Sequence, residues 1–89
     1  MDTLYEILLA INNGLTTYKP LGNTEEEMRD FQSVVKLLQY AEREGFVEKL
    51  KIHTESRTRH SWHDLVLIQG GLTFKGMAYI KNKPFLYWI

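Results

Sequence analysis

The amino-acid sequence predicts one small α+β domain over residues 1–89, with its elements in the order helix, helix, strand, strand, helix. Three observations predict it. Two early segments repeat apolar residues at three- and four-residue spacing, and each stops at a glycine. Two later segments, the first with period-two alternation and the second rich in β-branched and aromatic residues, enclose a polar stretch, the pattern of a hairpin. A short segment headed by Thr73 then reads as helix again.

The first helix is expected over 3–13. Thr3-Leu4-Tyr5-Glu6 has the form of a capping box, Leu4, Ile7, Leu8 and Ile11 make a core face, and Asn12-Asn13-Gly14 ends it. Residues 14–23, with Gly14, Pro20 and Gly22, read as a loop with room for one turn of helix. A second capping box, Thr24-Glu25-Glu26-Glu27, opens the longest helix, 24–44. Its acids suit the positive end of the helix dipole. Met28, Phe31, Val34, Val35, Leu38 and Ala41 form its stripe, and Gly45 ends it.

From Phe46 the period changes. A strand is expected over 46–53, with Phe46, Leu50 and Ile52 on one face and Val47, Lys49, Lys51 and His53 on the other. A long polar loop, 54–61, leads to a second strand over 62–69, closed by Gly70-Gly71. The last helix is expected over 72–82, with Thr73 as N-cap and Tyr79 or Ile80 facing the core. Gly76 inside it costs about 1 kcal/mol of helix propensity, so another backbone should pass close by.

Composition narrows the function. An apolar fraction of 44% and a charged fraction of 25% are globular proportions. With no cysteine, a disulfide framework, a thiolate metal site and a cysteine nucleophile are excluded. No basic leader opens the chain and no apolar run is long enough to span a membrane, so a cytoplasmic protein is expected. The net charge is zero, yet unevenly spread. Residues 1–30 carry six acids against Lys19 and Arg29, whereas Lys75, Lys81 and Lys83 are unopposed in 65–89. Any attraction to nucleic acid must therefore be local.

Two segments carry a family resemblance. Leu72-Thr73-Phe74-Lys75-Gly76-Met77-Ala78-Tyr79-Ile80 is similar to the Leu-Thr-x-Lys-Gly-x-x-Tyr/Phe-Leu run that follows the wing in many small bacterial winged-helix proteins. Glu42-x-Glu44-Gly45-Phe46-Val47 resembles their junction between recognition helix and wing. With the element order, the likeness covers residues 1–82 and is nearest to the small YjcQ-like bacterial and phage proteins. It implies a winged helix-turn-helix fold, here with a reduced middle helix, and a DNA-binding transcriptional regulator. A fold of this kind also serves in protein–protein interaction modules that bind no DNA.

Under that resemblance the candidate DNA-binding residues are Arg29, Gln32, Ser33 and Lys36 on the long helix, and Lys51, Arg57, Arg59 and His60 on the wing. Such side chains reach base edges and phosphates when a helix lies in the major groove. The competing reading of the helix is a solvated face, because Glu25, Glu26, Glu27 and Asp30 crowd the end that would approach phosphates. For the wing, the competing reading is a polar loop that happens to be basic.

His53, His60 and His63 invite a metal reading, but they lack a fixed third ligand, with Glu55 and Asp64 as the only nearby carboxylates; no metal or cofactor is expected. Ser61 beside His60 and Asp64 does not make a triad, which needs convergence rather than adjacency, and no enzyme is expected. Lys83-Pro84-Phe85-Leu86-Tyr87-Trp88-Ile89 gathers five consecutive apolar residues. Exposed, they would form an adhesive patch. Phe85, Tyr87 and Trp88 are expected to meet Tyr5 and Leu9 of the first helix across a homodimer interface, or to pack back on the domain.

Overall fold

The computed structural model describes residues 3–56 and 61–82. Six elements follow in order: α1 (Thr3–Asn12), β1 (Thr17–Tyr18), α2 (Glu25–Arg43), β2 (Val47–Ser56), β3 (Ser61–Leu72) and α3 (Phe74–Asn82). It is a small α+β domain of three helices and one antiparallel sheet ordered β1-β3-β2.

Local chemistry accounts for the helix ends. Both early helices stop in the same motif. Leu15 N–H donates to Ala10 O and Gly14 N–H to Ile11 O after α1; Phe46 N–H donates to Ala41 O and Gly45 N–H to Glu42 O after α2. Gly14 and Gly45 take the left-handed φ this closure needs, +101° and +84°. Thr24 caps α2 as expected: its hydroxyl accepts from Glu27 N–H at 3.1 Å while the Glu27 carboxylate reaches back to Thr24. Thr3, by contrast, already lies inside α1.

The buried core joins Leu8 and Ile11 of α1, Phe31, Val35, Leu38 and Ala41 of α2, and Phe46, Val47, Val66 and Ile68 of the sheet. Leu50, Ile52, Tyr79 and Ile80 pack against it. Gly76 meets the expected close approach: a Cβ there would overlap the Phe46 carbonyl. Around this contact Thr73 caps α3, accepting from Gly76 N–H and donating to Gly45 O. Lys75 donates to Glu44 O at 2.7 Å and lies over the Phe46 ring.

Four expectations need correcting. Residues 14–24 hold no helical turn; Thr17 and Tyr18 instead pair with Leu67 and Val66 as β1. The stretch 54–61 is no long loop, because β2 continues to Ser56 and β3 begins at Ser61. Gly70-Gly71 does not close β3, which runs on to Leu72 through an irregularity: Glu48 pairs with Gly71 and Leu50 with Ile68, so Gln69 and Gly70 oppose Lys49. A Cβ at Gly70 would fall on the Glu48 backbone, and Lys49 and Gly71 take φ of +62° and +74°. This step also moves Val47 onto the core face with Leu50 and Ile52, not opposite them. A second register step, between His53↔Leu65 and Thr54↔His63, leaves Asp64 as the extra residue.

Candidate functional site

The exposed flank of α2 and the start of β3 enclose a polar groove of about 430 Å³. Arg29, Gln32, Ser33, Lys36 and Gln39 line it from the helix, and Trp62 and His63 from the strand. At roughly 100° per residue the five helix positions fall on one side of α2, beside the buried stripe.

Gln32 fixes the two walls together. Its Nε2 donates to His63 O at 2.8 Å and to Met28 O at 2.9 Å, and its Oε1 accepts from His63 N–H at 3.0 Å. β1 covers β3 only around Leu67 and Val66, so among the described residues no strand lies beside the edge at His63; the Gln32 carboxamide serves that edge as a strand residue would. Next to it His63 Nδ1 lies 3.0 Å from Thr54 Oγ1, and His53 Nδ1 lies 2.6 Å from Asp64 Oδ1. The extra residue Asp64 is what brings that carboxylate to His53. Among the described residues no three His, Asp or Glu side chains converge as metal ligands.

The groove unites Arg29, Gln32, Ser33 and Lys36, four of the residues picked from the sequence, and adds Gln39, Trp62 and His63. Ser33 and Lys36 are exposed. Arg29 is paired with Glu25 at 3.2 Å, both about two-thirds exposed, so solvent screens the pair. Lys51 does not belong to the groove: it pairs with Leu67, out of phase with the core-facing pairs Ile52↔Val66 and Leu50↔Ile68, and so projects from the outer face of the sheet. Arg57, Arg59 and His60, and Phe85, Tyr87 and Trp88 of the expected dimer contact, lie outside the described residues. Tyr5 and Leu9 are half-buried on α1.

The acids of the first turn of α2 do not all face this groove. Glu27 is engaged by Thr24, and Glu27 and Asp30 line a second groove on the opposite flank, with Tyr18, Pro20, Leu21, Phe31 and Val34. Burial pushes the Tyr18 phenol above its ordinary value of 10.0.

The chain matches no family model, no curated protein and no solved structure. The functional reading therefore rests on the groove itself. No helix among the described residues is long and apolar enough to cross a membrane.

Proposed function

We propose that this chain is a winged-helix protein that binds duplex DNA as a transcriptional regulator, with α2 as recognition helix and the β2–β3 hairpin as wing. The observation that carries the reading is the polar groove, in which the cationic and amide side chains of α2 share one surface with the start of β3, at the turn end of the hairpin. The sheet order β1-β3-β2, with β1 between the first two helices, supports it. So does the position of Asp30 and Glu27 on the far flank, which relieves the repulsion expected between that helix face and phosphate. The fold departs from the complete pattern in having no helix over 14–24.

In this reading Lys36, Ser33 and Arg29 contact phosphates or base edges, Arg57 and Arg59 between the strands add phosphate contacts, and Gln32 and His63 hold the walls in register. Fluorescence anisotropy of a labelled random duplex at about 50 and 200 mM salt tests it. Binding at the lower salt that weakens steeply at the higher is expected. Absence of binding at the lower salt would overturn the reading. A second reading, a winged-helix module that binds protein, is favoured by the zero net charge and by the exposed acids Glu25 and Glu26; it takes over if the duplex is not bound.

A further inference from the structure

The second groove, on the other flank of α2, has a volume of about 220 Å³. Phe31 and Val34 line it from the helix, and Tyr18, Pro20 and Leu21 add apolar surface from β1 and the link that follows. Leu21 is 98% exposed, so a group seated in the groove would give it apolar surface to cover.

The polar groups of the lining are mostly acceptors. Glu27 and Asp30 bring carboxylates, which when ionised only accept hydrogen bonds. Thr24 steadies the first, its hydroxyl donating to Glu27 Oε1 at 2.8 Å. Among the described residues Asp30 enters no ion pair. The Tyr18 hydroxyl is buried and has no hydrogen-bond partner among the described residues. A hydroxyl left in that state is costly unless a partner is supplied, and its oxygen is able to accept. Against these three groups the lining holds one cation, Lys19.

We propose that this groove binds a small organic cation, a primary ammonium group carried on an apolar body. The ammonium is donor-only and positive, which matches two carboxylates and a phenol oxygen. The apolar body takes the surface of Phe31, Val34 and Pro20. Size selects a small molecule over a partner protein. The volume falls below the roughly 300–1,000 Å³ of sites for drug-sized ligands, whereas a standard protein interface takes about 800 Å² from each partner. The site lies across α2 from Arg29 and Lys36, and its ligand binds whether or not the polar groove holds DNA.

Phenethylamine and hexylamine are the probes, titrated over the millimolar range into the full chain labelled at leucine and valine methyls. Saturable shifts of the Leu21 and Val34 methyl resonances are expected with both. 2-Phenylethanol, which puts a neutral hydroxyl in place of the ammonium, should bind several-fold more weakly. 3-Phenylpropionate, the anionic counterpart, should give no saturable shift. Asp30→Asn, at an exposed position, should weaken both amines several-fold, and Asp30→Glu, which keeps the charge, should restore them. Lys36→Ala, on the far flank, should leave the affinity as it was. Absence of saturable shifts with both amines would overturn the proposal. So would an alcohol or carboxylate that binds as tightly as the amine, shifts that arise away from Leu21 and Val34, or an Asp30→Asn protein that binds undiminished.

Discussion

Gln32 shows how one side chain can be read correctly by position and differently by role. The helical stripe marks it as a polar residue beside Arg29, Ser33 and Lys36, which is where it stands. Its carboxamide, however, is spent on the backbone of His63 and Met28. Removing it leaves an N–H and a C=O of β3 without their partners in a half-buried place. Gln32→Ala should therefore cost about 1–3 kcal/mol. The expected reading is a lower urea midpoint at unchanged slope, with faster exchange of the His63 amide hydrogen. If stability and that exchange rate are both unchanged, the clasp contributes nothing. Arg29 differs from Gln32 in kind, since its exposed pair with Glu25 is weak enough to yield to a phosphate.

The junction of α2, β2 and α3 has the same dependence on local detail. Gly45 turns the chain, Phe46 enters the core, and Gly76 lets α3 pass against the Phe46 carbonyl while the Tyr79 ring packs tilted against the Phe46 ring, centroids 5.1 Å apart. Gly76→Ala should gain about 1 kcal/mol in helix propensity and lose more, about 1–3 kcal/mol, by overpacking against a backbone atom that cannot swing aside. A net fall in melting temperature is expected; a rise would show that α3 shifts freely. The glycine was legible in the sequence because its cost to the helix demanded a reason. The three helices were legible, since terminal glycines, apolar spacing and the capping box at Thr24 act within a few residues, although the box expected at Thr3 was not found, Thr3 lying inside α1. β1 was not, because two residues make a strand only by finding Leu67 and Val66 some fifty positions away. Nor was the face of Val47, or the place of Trp62 and His63 in the groove. Both depend on register steps in the β2–β3 pairing, and alternation read along one strand assumes that there are none.

At the scale of the whole molecule, a net charge of zero leaves no general attraction to a polyanion, so binding to DNA must come from the few cations that one surface collects. In the proposed orientation these are Arg29 and Lys36 on α2 with Arg57 and Arg59 between the strands. Neutralising one phosphate each gives a log–log salt slope no steeper than about −3.6, which means roughly a hundredfold loss of affinity between 50 and 200 mM salt. Lys36→Ala should weaken binding at low salt and flatten the slope by about 0.9. Replacing Arg57 and Arg59 together should flatten it by about twice that. Lys51→Ala, on the outer face of the sheet, should leave the slope as it was. Equal effects of Lys36→Ala and Lys51→Ala would mean that the duplex meets diffuse charge and not the groove. A loss confined to the Arg57 and Arg59 substitution would place the contact on the hairpin alone and remove α2 from the recognition surface.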